Sequence, residues 1–464
     1  MVNTTPRSVL AAAVLLTACS VPAIPAVATR IQFAPGAAGA GDSYLPMAGN
    51  GGYDVHRYAL DLAYNPRSGR LTGRAEITAA ATQDLSRFNL DLVGLDVGSV
   101  QVGGRAATHR RAGGELTVTP AVGIPRGDLF TVTVRYGGVP RRLNDPILGT
   151  AGWLRTRDGA VTLSQPVGSA TWFPVNDHPS DKAVYDIRMV VPKGLRVVSN
   201  GEPVPARAGV HRWRSERPMA SYLAMVGIGR YQITDTNTPG GIRTITAVDP
   251  LYRRDAAAFH RITQRVTDWG VGLFGPYPGG SSGGVLDDVK VDYALETQDR
   301  PVYPERFSTD LVVHELAHQW FGDSVSPKRW KDIWLNEGFA TYAEWLYAER
   351  NGGRSAQRAF DSAYSRSAGD PAWRIPPGDP GRAGMFAQFP VYVRGAMALH
   401  ELRRVAGDET FFRILRAWTA RYAGGNAAIA DFTALAEEVS GKRLADLFQD
   451  WLYVPRKPAL RGGS

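Results

Sequence analysis

His314-Glu315-Leu316-Ala317-His318 sets two imidazoles four residues apart, with a carboxylate directly after the first. On a helix, positions i and i+4 lie one turn apart on one face, so both rings can reach one cation. The flanks Leu311-Val312-Val313 and Gln319-Trp320-Phe321 can continue that helix. Zinc takes two imidazole nitrogens and a carboxylate, and a catalytic zinc keeps a fourth position for water. Glu337, in Trp334-Leu335-Asn336-Glu337-Gly338-Phe339-Ala340, opens a second helical pattern that can pack beside the first and supply the third ligand. The five-residue pattern recurs by chance; the Glu337 segment at ligand spacing is what makes the reading specific. One zinc ion is therefore expected on His314, His318 and Glu337. Glu315 lies one residue off the metal-facing direction, which suits a base poised over a metal-activated water. The chemistry expected is attack of that water on a carbonyl, with Glu315 handing the proton to a leaving amine. The other histidines (His56, His109, His178, His211, His260, His400) lack ligand spacing and read as surface or core imidazoles.

Two kinds of element must position this site. From Tyr53 to about Tyr231 the chain alternates in short runs, such as Tyr58-Ala59-Leu60-Asp61-Leu62 and Thr131-Val132-Thr133-Val134, broken by Gly, Pro, Asn and Asp. This predicts an all-β, sandwich-like domain over 51–235. Within it, the Gly-rich stretch 94–114 is open between loop and hairpins. A catalytic α+β domain is expected over 236–464: a strand at 242–248, a helix at 254–274, a Pro/Gly/Ser loop at 275–284 and a strand-like run at 289–295. Helical patterns follow at 308–322, 337–351, 391–406, 408–422 and 431–440, and a last one at 444–452. The chain thus reads as multidomain.

At 464 residues, 44% hydrophobic and 21% charged, the composition is that of a water-soluble globular protein. The net charge of +9 comes from scattered arginines without a long basic run, so no nucleic-acid partner is expected. At the N-terminus, Arg7 precedes the short apolar run Val9 to Leu16, of signal-peptide length. Leu16-Thr17-Ala18-Cys19 resembles a bacterial lipobox, and Cys19 is the chain's one cysteine. Residues 1–30 are therefore expected to direct export, with lipidation at Cys19 as the sole membrane attachment. The other expectation is cleavage after Ala26-Val27-Ala28 and free secretion. Residues 31–50, rich in Ala, Gly and Pro, read as a flexible linker.

HELAHQWFGDSV followed by WLNEGFATYAE resembles the gluzincin zinc aminopeptidases, the group of aminopeptidase N and leukotriene hydrolase, over about Tyr53 to Pro458. Tyr293-Ala294-Leu295-Glu296-Thr297 stands where that family carries its exopeptidase motif, GAMEN. The resemblance implies that Glu296 binds the substrate's free α-amino group, although Tyr293, Leu295 and Thr297 depart from the usual letters. Pro390-Val391-Tyr392-Val393-Arg394-Gly395 is similar to the segment whose tyrosine hydrogen-bonds the developing oxyanion, a role that falls to Tyr392. Arg394 replaces the commoner Lys and receives no catalytic role. Leu163-Ser164-Gln165, with Trp172 to Pro179, is similar to an N-domain passage whose glutamine lines the amine pocket, which makes Gln165 a candidate. Glu344 could orient a ligating imidazole. The implied activity is zinc-dependent removal of N-terminal residues from peptides. A thermolysin-type endopeptidase, which needs no Glu296, and a catalytically silent peptide-binding lipoprotein are the alternatives. Many relatives continue into a long helical domain; here the catalytic domain is expected to close at Phe448 to Tyr453, leaving a cleft open to larger peptides.

Overall fold

Alternation decides the first half of the molecule. The strand Tyr53–Asn65 buries Val55, then Tyr58, Leu60, Leu62 and Tyr64, and its phase changes where a bulge at Val55 and Arg57 adds a residue. In the computed structural model, which describes residues 1–5, 8 and 32–460, this strand sits inside an eight-stranded sheet. Lys182–Val190 pairs with it in parallel on one side and Arg70–Ala81 antiparallel on the other. A four-stranded sheet containing Leu85–Asp91 and a five-stranded sheet containing Gly149–Arg155 complete the β-rich half. Aromatic rings join the layers. Phe88 of the smaller sheet meets Tyr53 and Phe130 of the large one at 5.7 and 5.4 Å between centroids, and Trp153 meets Tyr64 at 4.9 Å. The stretch left open at 94–114 is hairpins: Asp96–Val102 turns into Arg105–Ala106, and Thr108–Ala112 pairs with Glu115–Thr119.

The second half is a small sheet covered by helices. Its strand order is Gln232–Asn237, Arg243–Val248, Ser282–Asp287 and Val302–Pro304, with the last two junctions parallel. Gln232–Asn237 belongs to this sheet, so the catalytic half begins before the expected boundary at 235. A second correction concerns 275–295. The strand is Ser282–Asp287, which starts inside the expected loop, whereas the expected strand at 289–295 contributes only an isolated bridge from Leu295 to Val302. The glycines there are a matter of space. A Cβ on Gly283 would sit 1.9 Å from the Ile245 carbonyl oxygen on the neighbouring strand. Helix α1 (Ala256–Phe274) covers the sheet, with Phe259 edge-on to Tyr303 at 5.1 Å. Helices α2 (Thr309–Ala317) and α3 (Trp334–Arg350) follow.

The linker expectation fails from residue 33 onward, because this stretch is a packed strap. Ala34–Pro35 pairs with Leu85–Asp91. Buried Asp42 accepts the Trp330 N–H at 2.8 Å from the catalytic half and contacts His178 Nε2 at 3.3 Å in the β half. Tyr44 bonds Asp379, and the Gly381 N–H donates to its hydroxyl at 2.9 Å. Composition shows neither a short strand pairing nor a single buried carboxylate. Cys19 and the export segment around it lie outside the described residues.

Candidate metal centre

Helix α2 starts where Ser308 caps it, accepting the Leu311 N–H at 3.1 Å. Val312, Val313, Leu316 and Ala317 are buried, which turns the face carrying His314 and His318 toward α3. Glu337 sits in the first turn of α3, where the positive end of the helix dipole favours a carboxylate. The Glu337 Oε2 lies 3.3 Å from His314 Nε2 and 3.5 Å from His318 Nε2. Ligand atoms of the three residues all fall within 4.8 Å of one another.

The remaining ring nitrogens have fixed partners. His314 Nδ1 lies 2.6 Å from Glu344 Oε1, and His318 Nδ1 lies 3.0 Å from the Phe321 carbonyl. Both acceptors take an N–H, so each imidazole keeps an Nε2 lone pair aimed at the point shared with Glu337. That donor set fits one zinc. Burial works to raise the Glu337 carboxyl, but His318 and His314 outweigh it and hold it down at about 2. Burial pushes Glu315 up to about 8 against the pull of those imidazoles. A dication on the ligands opposes that rise and favours the ionised base.

Sequence reasoning placed the other candidates in one cleft, and the structure brings them together. Glu296, Glu315, His314, His318, Glu337, Gln165 and Tyr392 all line a cavity of about 680 Å³. Gln165 Nε2 donates to Glu296 Oε1 at 2.7 Å, linking the β half to the catalytic half across the cleft. Leu295 holds this segment at the sheet edge, exchanging backbone hydrogen bonds with Val302 at 3.0 and 2.8 Å. Burial raises Glu296, and the Glu337 charge adds to that rise while His318 opposes it. The cleft lining includes Asp292, Glu296, Glu315, Glu337 and Glu344 but, among the described residues, no Lys or Arg. Such a lining favours cations.

Tyr392 sits on a π-helical segment, Gln388–Val393, and its ring stacks on His314 at 5.9 Å with a 15° tilt. Burial and the Glu337 charge keep its phenol protonated, hence a donor. Arg394 anchors this segment from beneath. It is fully buried, and its guanidinium donates to the carbonyls of Trp373, Trp451 and Val454 at 2.7, 3.0 and 2.6 Å. Sequence reasoning gave no part to Gln319 or to the rim residues Ile147, Leu148 and Phe386. Gln319 Nε2 donates to the Glu296 carbonyl at 3.2 Å and to Asp323 Oδ2 at 2.8 Å, so it braces the segment that carries Glu296. Its place directly after His318 was the one available signal.

Comparison with known proteins agrees with this geometry. Residues 54–223 match the peptidase M1 N-terminal domain and residues 293–451 match the peptidase family M1 domain. A probable aminopeptidase 1 from Sulfurisphaera tokodaii is 25% identical over 438 residues, covering 88% of this chain. The chain spans 54% of that protein's length. The M1 zinc metallopeptidase from Deinococcus radiodurans superposes with a TM-score of 0.83 at 29% identity, over 92% of this chain and 100% of that one. A structure of its mutant bound to the substrate Tyr-Ser-Ala gives the same TM-score over 91% of this chain. The two matches together take in both halves, and the chain belongs to peptidase family M1.

Proposed function

We propose that this protein is a zinc-dependent aminopeptidase that removes N-terminal residues from peptides. The observation that carries the reading is the Gln165–Glu296 pair in the same cleft as the metal ligands. Glu296 is a buried carboxylate held by Gln165 and, among the described residues, ion-paired with no Lys or Arg, which suits a substrate ammonium, with which it forms a charge-assisted bond. Docking there sets the first peptide carbonyl toward Glu315 and Tyr392. His314, His318 and Glu337 would hold a zinc ion, which when bound would supply Lewis acidity and lower the pKa of a water toward neutrality. Glu315 takes the proton from the attacking water and delivers it to the departing amine. Tyr392 donates its phenolic hydrogen to the carbonyl oxygen as negative charge develops there. Glu344 and the Phe321 carbonyl hold the imidazoles in the tautomer that this requires. The peptide Tyr-Ser-Ala bound by the Deinococcus relative's mutant is a substrate of this class.

The test is a panel of aminoacyl-anilides and short peptides, each with a free and an N-acetylated terminus, assayed with and without a chelator. Aminopeptidase action predicts cleavage of the free forms alone and its loss with chelation. Equal cleavage of acetylated peptides would instead indicate an endopeptidase, and zinc binding without turnover a silent binding protein.

Export and lipid anchoring at Cys19 belong to the same proposal, supported by the apolar run and lipobox-like tetrapeptide. No helix among the described residues is long and apolar enough to cross a membrane. Incorporation of labelled palmitate that disappears in Cys19→Ala is expected; an unlabelled protein found wholly in the medium would favour free secretion.

A further inference from the structure

A second set of ligand atoms converges in the cleft beside the first. Glu296, Glu315 and His318 each bring one such atom within 4.8 Å of the others, and all three residues are buried. The two sets meet at His318. Its Nδ1 gives its hydrogen to the Phe321 carbonyl, so Nε2 is the nitrogen that either set must use. An ion seated on His314, His318 and Glu337 takes that nitrogen up. What remains is a pair of carboxylates, Glu296 and Glu315, facing the same cavity.

The pair is rigid and short of partners. Glu315 stands three residues before His318, the C-cap of α2, and positions so spaced share one side of a helix. Glu315 is only 4% exposed, lines the cavity and has no hydrogen-bond partner among the described residues. A buried carboxylate in that state costs free energy until a donor or a cation meets it. Glu296 is held by the Gln165 amide at its Oε1, by Gln319 at its backbone carbonyl and by the Leu295–Val302 backbone bonds beside it. Charge points the same way. Asp292, Glu296, Glu315, Glu337 and Glu344 line the cleft with no Lys or Arg among the described residues, and one dication offsets only two of these five carboxylates.

We propose that Glu296 and Glu315 form a second zinc site, filled when zinc is in excess and closed to it when a substrate amine is docked. Carboxylate oxygens are zinc ligands, but two of them bind more weakly than two imidazoles with a carboxylate, so this site fills after the first. Water from the cleft completes the coordination. Divalent ions sit as close as about 3.5–4 Å in two-metal hydrolases, so repulsion between the ions does not forbid the arrangement. The consequence for activity rests on the aminopeptidase reading. An ion there covers the amine-docking carboxylate and ties up the base, so excess zinc inhibits in competition with the peptide's N-terminus.

Calorimetric titration of zinc ions into protein already carrying one equivalent tests this. A second, weaker equivalent is expected. Glu296→Gln and Glu315→Gln should each keep the first equivalent, which shows that the metal centre is folded, and weaken the second at least about tenfold. Even a hydrogen-bond partner of a metal ligand is worth that much, and these are ligands. In turnover, excess zinc should raise KM severalfold and leave kcat unchanged. The proposal is overturned if no second equivalent binds at millimolar zinc, or if either variant keeps it unweakened, as an ion held by an exposed pair such as His56 and Asp54 would be. Inhibition that lowers kcat alone also overturns it. Absent turnover of free-amine peptides would sink the aminopeptidase reading by itself, and a second equivalent weakened in both variants would still stand.

Discussion

Glu315 stands 22 residues before Glu337 and Glu344 seven after it, and in space each has a different proposed task at the metal site. Glu315 faces the cleft without contacting a ligand nitrogen at hydrogen-bond distance, so its proposed work is proton transfer. Glu315→Gln keeps size and shape, and zinc content by mass spectrometry should stay at one equivalent while kcat falls roughly 100- to 10,000-fold. Near-normal kcat in that variant would remove Glu315 from the base role. Glu344 acts one atom further out, on His314 Nδ1. Glu344→Ala frees that ring to rotate or change tautomer, and zinc affinity should drop about 10- to 100-fold in a competition titration against a chelator. At this scale much was legible. The two histidines and Glu337 follow from helical spacing and ligand chemistry alone. Glu296, Tyr392 and Gln165 were not readable that way, because their sequence distances carry no period that links them. They came from family resemblance, and the 2.7 Å contact between Gln165 and Glu296 gives that resemblance its physical content.

Elements turn those residues into a site by being held from outside it. The π-helical turn bearing Tyr392 is a case where the anchor is a residue given no role in the sequence reading. Arg394 threads its guanidinium among carbonyls that no other described side chain satisfies in this way. Arg394→Met fills similar space but removes those side-chain donors, while the Val454 carbonyl keeps the Arg456 N–H at 2.9 Å. It should cost at least about 3 kcal/mol of stability, seen as a lowered urea midpoint, with a loss of kcat from a displaced Tyr392. An unchanged midpoint would mean the segment is held by packing alone. Sheet edges show the opposite kind of surprise. Ser282–Asp287 carries Ser-Gly-Gly at its start and reads as a loop, yet Gly283 is required by the Ile245 carbonyl beside it. Propensity describes an isolated strand, whereas this glycine answers to a neighbour nearly forty residues earlier in the chain. Helices were easier, since α1 carries its apolar period and α2 its Ser308 cap, although α2 ends at Ala317 and not at the expected 322, with His318 at its C-cap.

Across the whole molecule, the cleft depends on two halves staying in register, because Gln165 comes from one and Glu296 from the other. Buried contacts lock that register. Lys182, on a strand of the large sheet, donates to the carbonyls of Asp323 and Ser324 at 2.9 Å each and of Gly425 at 3.2 Å in the catalytic half. Asp42 does the equivalent with negative charge, joining the strap to His178 and to the Trp330 N–H. Burial works to raise the Asp42 carboxyl, but His178 and the N–H groups of Trp330, Tyr44 and Leu45 outweigh it and hold it at about 2. Its ordinary value is 3.8, so between these two values the unfolded chain binds the proton and the folded one does not. The stabilisation is therefore complete above pH 3.8 and lost as pH falls toward 2, an amount of about 2 kcal/mol. Asp42→Asn should remove this part of the acid dependence, so that variant and parent converge in stability at pH 2 and separate above pH 4. Asp42→Ala, which also leaves the Trp330 N–H without a partner, should cost about 2–3 kcal/mol at neutral pH and open the strap to proteolysis. If the strap is cut no faster in Asp42→Ala than in the parent, it is held by Tyr44 and the Ala34–Pro35 pairing rather than by Asp42, and the register of the two halves rests on Lys182 instead.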